Sequence, residues 1–167
     1  MKLISTILRA PSKSHILRCG LLSVINQDSS KPLLDVTKFR EGLAKLDHRG
    51  PDDSGVYIGD NGRVMMGHTR LSIIDLVGGH QPLASEDGMV QVVVNGELYD
   101  FERIRNELQK DHGSKFKTSS DSEIALHLYL NYGISFINRL RGEFAILIWD
   151  KRYETFFAIR DRVSKLR

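Results

Sequence analysis

Cys19 is the only thiol in a chain of 167 residues, and a cysteine is the strongest intrinsic nucleophile among side chains. With a usual pKa of about 8.5, only a few per cent of a thiol is ionised at neutral pH, so a catalytic Cys19 needs a base beside it. His15, His48, His68 and His80 qualify by type. A lone cysteine is more often a small buried hydrophobe than a catalyst, and Cys19 by itself decides nothing. It opens an apolar run, however, and other polar residues fall at the ends of similar runs, where sites usually form.

Other chemistries are excluded by what the chain lacks. One cysteine allows no internal disulfide framework, and no Cys/His cluster has the spacing of a structural zinc site, so no metal is expected. There is neither a Gly-x-x-x-x-Gly-Lys loop nor a Gly-x-Gly-x-x-Gly turn after a strand, so nucleotide binding has no support. The 24 basic and 21 acidic residues give a net charge of +3 and are mixed along the chain. Without a basic stripe, nucleic acid is not expected as a partner. No apolar run approaches the roughly 18 residues of a membrane span, and a soluble domain without a membrane partner follows. The length and a hydrophobic content of 41% suit one domain with its own core.

The elements that would position Cys19 can be read in order. Residues 20–25 form a short run of β-formers and predict a buried strand starting at Cys19. Val36, Phe39, Leu43 and Leu46 recur at three- and four-residue intervals, one apolar helix face beginning near Asp35. A loop dense in turn formers follows, and 56–58, 64–66 and 71–74 read as short strands. Residues 91–94 read as a further strand, stopped at Asn95-Gly96. Phe101, Ile104 and Leu108 mark a helix capped by Asp100; Ser120 with Glu123 has the form of a capping box for a second, carrying Ile124, Leu128 and Tyr132 and closed by Gly133. Residues 144–149, unbroken and apolar, predict a central strand covered on both faces, paired with 155–159. Strands and helices come in clusters and not in strict alternation, so the class is α+β.

Seven motifs stand in a fixed order: Cys19-Gly20-Leu21-Leu22, His48-Arg49-Gly50-Pro51-Asp52-Asp53-Ser54-Gly55, Gly67-His68-Thr69-Arg70-Leu71-Ser72-Ile73-Ile74-Asp75, Gly79-His80-Gln81-Pro82, Val94-Asn95-Gly96-Glu97-Leu98-Tyr99, Ser120-Asp121-Ser122-Glu123 and Leu140-Arg141-Gly142-Glu143-Phe144-Ala145. The series resembles the amino-terminal domain of glutamine-dependent asparagine synthetases, from Cys19 to about residue 162. The amidotransferases of glucosamine-phosphate synthase and amidophosphoribosyltransferase share the Cys-Gly start and the Asn-Gly pair but differ after Arg-Gly. His-Arg-Gly-Pro-Asp-Asp and Gly-His-Gln-Pro therefore point to the asparagine-synthetase branch.

The resemblance implies a four-layer αββα sandwich of N-terminal-nucleophile type, in which the cysteine is the first residue of the mature chain and its own α-amino group is the base. It implies that Cys19 attacks the glutamine side-chain amide and forms a thioester, while Asn95 and the Gly96 N–H stabilise the oxyanion. By the same similarity Arg70 grips the α-carboxylate, Glu97 and Asp121 hold the α-ammonium, and Leu71, Ser72, Ile73 and Ile74 line the pocket. Taken singly, each has an ordinary reading: Arg70 as a surface ion pair, Asn95-Gly96 as a hairpin turn, Asp121 as a helix-start charge.

Two departures accompany the resemblance. Cys19 is internal, and an amide nitrogen has no basic lone pair, so activity would require removal of residues 1–18. That segment carries Lys2, Arg9, Lys13 and Arg18, three serines and no acid, the composition of a transit peptide; an unstructured extension, a pro-segment or a start codon placed too far upstream are plainer readings. At the other end, Val163-Ser164-Lys165-Leu166-Arg167 replaces the glycine-containing segment, last strands and synthetase domain with which the family continues. The organisation expected is an extension over 1–18 and a C-terminally incomplete amidotransferase domain over 19–167, with no synthetase domain. The expected function is hydrolysis of glutamine to glutamate and ammonia for asparagine synthesis; the alternative is a silent truncated relative that binds glutamine or a partner without turnover. The expected partners are glutamine and a synthetase domain or subunit accepting ammonia. No cofactor is expected in this chain, ATP and magnesium belonging to the synthetase domain. A cytoplasmic location follows, or an organellar one if 1–18 is a transit peptide.

Overall fold

The computed structural model describes residues 19–26, 35–71 and 78–162. The readings made on 1–18, on 163–167 and on Ser72, Ile73 and Ile74 lie outside the described residues. Among the described residues, seven strands form two antiparallel sheets. In the first, β1 (Gly20–Ile25), β2 (Asp53–Gly59) and β3 (Val64–Arg70) lie in the order β1-β3-β2; in the second, β4 (Leu83–Ala84), β5 (Val90–Leu98), β6 (Gly142–Asp150) and β7 (Thr155–Arg160) lie in chain order. Helix α1 (Val36–Ala44) precedes β2, and α2 (Phe101–His112) and α3 (Glu123–Tyr132) are inserted between β5 and β6, followed by a 3₁₀ segment over Gly133–Arg139.

The layering follows from side-chain alternation along the strands. Val64 and Met66 of β3 pack with Val93, Leu147 and Trp149 of the second sheet, with Leu21, Ile25, Tyr57 and Phe156 against them. The intervening Met65 faces the other way and packs with Leu22, Phe39 and Leu43, joined by Val24 and Val56, under α1. On the second sheet Val90, Val92, Val94, Ile146 and Ile148 turn away from the first sheet and pack on Ile104, Leu108, Ile124 and Leu128 of α2 and α3. Three apolar interfaces thus separate four layers in the order α1, first sheet, second sheet, α2 with α3. This is the α+β, αββα arrangement that the sequence implied.

Several local readings are corrected. The strand expected over 71–74 does not include Leu71, because β3 ends at Arg70. The strand expected to stop at Asn95-Gly96 runs on to Leu98, with Asn95 paired to Ala145 and Gly96 to Phe144. Gly96 adopts φ 146° in that ladder, and a β-carbon there would strike the Glu143 carbonyl. Its glycine serves a close approach between strands and not a hairpin turn. Asp100 stands at the start of α2 in the left-handed region, φ 59°, and makes no cap bond; its carboxylate meets Arg141 at 3.3 Å instead. No capping box forms at α3. Glu123 accepts from the Lys117 and Thr118 amides, each at 2.8 Å, and the Ser120 hydroxyl accepts from the Ser122 amide at 3.2 Å.

His68 faces the inter-sheet layer from β3 and is 1% exposed. Burial, aided by the positive charge of Arg70, lowers its pKa from 6.5 to about 4. Between pH 6.5 and about 4 the folded protein therefore keeps this imidazole neutral while the unfolded chain protonates it. Glu123 lies lower: burial would raise its carboxyl, but the bonds from His127, Lys117 and Thr118 outweigh that and hold it at about 2.

Two outcomes are expected. Ile148→Ala, at a fully buried position between β6 and the helices, should lower unfolding free energy by ~3 kcal/mol in urea titrations, and a loss under ~1 kcal/mol would contradict the layering. The stability supplied by neutral His68 is complete above pH 6.5 and is lost as pH falls to about 4, at a slope of up to ~1.4 kcal/mol per pH unit. Unfolding curves of the wild type and His68→Gln across that window should show the smaller loss in the variant; equal losses would place the titration elsewhere.

Candidate active site

Cys19 lies one residue before β1, and the β1–β3 register, with Gly20 opposite Thr69, brings it beside the end of β3 at Arg70 and Leu71. The Leu71 amide donates to Cys19 Sγ at 3.3 Å, and the thiol lies 3.7 Å from the Leu71 carbonyl. Arg49 Nε donates to the Cys19 carbonyl at 3.2 Å. The loop carrying Arg49 sits directly on β3: a β-carbon at Gly50 would come within 2.6 Å of the Arg70 backbone, and the Asp52 amide donates to the Arg70 carbonyl at 3.0 Å. Glycine is required at that approach.

Burial pushes the Cys19 thiol up; the bond from Leu71 and the positive charges of Arg70 and Arg49 act in the opposite direction without cancelling it. The sulfur is thus a neutral thiol at neutral pH and needs an acceptor for its proton. None of the described histidines bonds to it. His48 Nδ1 lies 2.9 Å from the Lys45 carbonyl and His80 Nδ1 lies 2.7 Å from Asp53, while His68 is buried and held neutral. His15 lies outside the described residues.

Arg70 ends β3, is 6% exposed, and lays its guanidinium against Gly79, where a β-carbon would clash. Alternation from Val64 and Met66 points Arg70 into the space between the sheets. Alternation from Val93 points Asn95 and Glu97 into the same space from β5. One end of that layer is apolar, built on Met66, Val93, Leu147 and Trp149. Cys19, Arg70, Asn95 and Glu97 gather at the other; Asn95 is buried and Glu97 exposed.

The backbone of β5 alternates as well. Val90 exchanges bonds with Ser85, Val92 pairs with Leu83 of β4, and Val94 bonds to the Gln81 side chain. The backbone groups of odd-numbered residues therefore face the opposite edge, toward β6, a pattern continued by Tyr99, whose amide donates to the Arg141 carbonyl. By this parity the Gly96 N–H points to the β4 side, past the point where β4 has ended. The next amide on that edge, Leu98, donates to Asp121 Oδ2 at 2.9 Å. Asp121 is buried beside the β5 edge, at the start of α3.

The residues singled out in the sequence therefore divide clearly. Cys19, Arg70, Leu71, Asn95, Gly96, Glu97 and Asp121 lie around one end of the two sheets, Leu71 through its backbone. Arg49 and Gln81 were quoted only as parts of motifs; their long-range bonds could not be read from spacing. Among the described residues no three His, Cys, Asp or Glu side chains gather as a cation site. No helix among them is long and apolar enough to cross a membrane.

Comparison with known proteins shows the family and the fold. The family described as "Glutamine amidotransferase domain" matches residues 18–166. "Amidase chry2" of Gibberella zeae is 44% identical over 153 residues, covering 86% of this chain and 22% of that protein. "Asparagine synthetase [glutamine-hydrolyzing] 2" of Bacillus subtilis is 40% identical over 145 residues, covering 86% and 19%. "Asparagine synthetase [glutamine-hydrolyzing] 1" of Arabidopsis thaliana is 41% identical over 148 residues, covering 87% and 24%. The chain spans about a fifth of the length of these curated relatives. Among solved structures, the glutamine phosphoribosylpyrophosphate amidotransferase of B. subtilis superposes with a TM-score of 0.63 at 24% identity, over 75% of this chain and 34% of that one, and shows the shared fold. With a family match that takes in every described residue, this chain belongs to the glutamine amidotransferase domain family.

Proposed function

We propose that this domain hydrolyses glutamine to glutamate and ammonia with Cys19 as nucleophile, in a form of the chain that begins at Cys19. One observation carries the reading: the thiol, seated on the Leu71 amide beside Arg70, shares one end of the inter-sheet layer with Asn95 and the outward Gly96 N–H. A thiol whose pKa is raised and which bonds to none of the described imidazoles needs a base, and an α-amine of pKa about 8 on the same residue can supply it.

In the sequence as given, Arg18 precedes Cys19 and the nitrogen is an amide. Freed of that bond, the amine takes the thiol proton, Sγ attacks the side-chain carbonyl carbon of glutamine, and the carbonyl oxygen becomes an oxyanion. The Asn95 amide and the Gly96 N–H stabilise it. Collapse breaks the carbon–nitrogen bond, the ammonium of Cys19 returns the proton to the leaving ammonia, and water then hydrolyses the γ-glutamyl thioester. Arg70 binds the α-carboxylate through its planar fork. Glu97 and Asp121 bind the α-ammonium, Asp121 keeping acceptor capacity beyond its bond to Leu98. Leu71 forms part of the wall of the pocket. Glutamine and water balance this half-reaction, so no cofactor is required of this chain.

The ammonia is destined for a synthetase domain or subunit making asparagine, a reading supported by relatives described as glutamine-hydrolysing asparagine synthetases. ATP and magnesium serve that second reaction. The site of action is the cytoplasm, or an organelle where 1–18 is cleaved as a transit peptide.

A fusion cleaved to expose Cys19 should release equimolar glutamate and ammonia from glutamine, and the chain retaining 1–18 should not. In the cleaved form Asn95→Ala should lower kcat by ~10²- to 10³-fold, while Arg70→Lys should act mainly on KM. Equal turnover with and without the first 18 residues would overturn the proposal.

A further inference from the structure

Gln81 belongs to a motif to which the proposed reaction assigns no role. It is 4% exposed, and its side-chain amide grips one residue of β5 at both backbone groups: the Val94 amide donates to Oε1 at 2.7 Å, and Nε2 donates to the Val94 carbonyl at 3.1 Å. A primary amide offers the same donor and acceptor as a peptide unit. The β4–β5 register, Leu83 with Val92, puts position 81 opposite Val94. The side chain thus occupies the rung that the backbone of a longer β4 would have filled. The backbone of Gln81 is diverted to the other sheet, where its carbonyl closes on Gly55 so tightly that a β-carbon there would clash. A single residue thereby ties β2 to β5.

We propose that Gln81 is a positioning residue for the oxyanion donors: its amide completes the β5 ladder at Val94 and so fixes the direction of the Asn95 side chain and the Gly96 N–H that follow. This deepens the glutaminase reading and rests on it. Val94 is the last residue on the β4-facing edge before Gly96, and the next bonded amide on that edge is Leu98, held by Asp121. Gly96 is therefore suspended between two side-chain anchors, with Gln81 on one side. With Val94 buried, loss of the amide leaves its peptide N–H without a partner and takes a donor from its C=O, which the strand can relieve only by moving.

Two variants test this. Gln81→Leu removes both bonds, and Gln81→Glu keeps an acceptor for the Val94 amide but offers its carbonyl a carboxylate in place of a donor. In the full chain, amide hydrogen exchange read by NMR should accelerate at Val94, with shift changes at Asn95 and Gly96, while Val92 stays protected. In the form beginning at Cys19, both variants should lose kcat by about 10- to 100-fold with KM for glutamine within about twofold of wild type. Iodoacetamide should still alkylate Cys19 at the wild-type rate, because that reaction forms no oxyanion. Unchanged exchange at Val94, or parallel losses in kcat, KM and alkylation, would overturn the proposal. If the wild type itself shows no turnover, the glutaminase reading fails, and the exchange and shift data at Val94 to Gly96 still decide the role of Gln81. Should Gln81→Leu fail to fold, Gln81→Glu carries both readouts.

Discussion

An antiparallel strand commits every residue twice, its side chain to one of two faces and its amide to one of two edges, and β5 is where all four commitments matter. Its even-numbered valines build the core under α2 and α3, and Val93 builds the core between the sheets. Its odd amides pair with β6; its even amides face β4. Because β4 is only two residues long, that second edge is completed by side chains, and among the described residues it is left open at Gly96. The exposed donor is a by-product of strand parity and of where β4 ends.

The layer between the sheets is equally directional. Val64, Met66, Leu147 and Trp149 close one end, and Arg70, His68, Asn95 and Cys19 occupy the other. Burying a guanidinium and an imidazole costs stability unless they are paired or kept neutral. The chain keeps His68 neutral, and it seats Arg70 closely, the guanidinium against Gly79 and the backbone against Gly50, approaches that only glycine permits. A low-dielectric wall behind the thiol strengthens each dipole aimed at it, which is what stabilising a developing oxyanion requires.

Much of this was legible before any coordinates. The strand opening at Cys19, the helix beginning near Asp35 and the β6–β7 pair follow from periodicity, because each carries its burial pattern within one element. Asn95-Gly96 was misread as a stop, since that pair is the strongest local hairpin signal and its use for close strand contact depends on Glu143, far away in sequence. Ser120 and Glu123 have the spacing of a capping box, yet Glu123 is captured by the 117–118 backbone, a tertiary choice that spacing does not encode. The two-residue β4 is too short to carry a pattern. As for the site, the roles proposed for Arg70, Asn95, Glu97 and Asp121 come from an ordered resemblance, not from local physics. Arg49 and Gln81 emerged only once the loops holding them met β1 and β5.

The thiol and the donors matter together only if an acyl group passes through Cys19 Sγ. Intact-mass spectrometry of the form beginning at Cys19, acid-quenched during turnover, tests this directly. An adduct of one γ-glutamyl group, mapped to Cys19 and lost on treatment with hydroxylamine, is the result the account requires. Glutamine hydrolysis that continues in Cys19→Ala, or an adduct on any other residue, would contradict it.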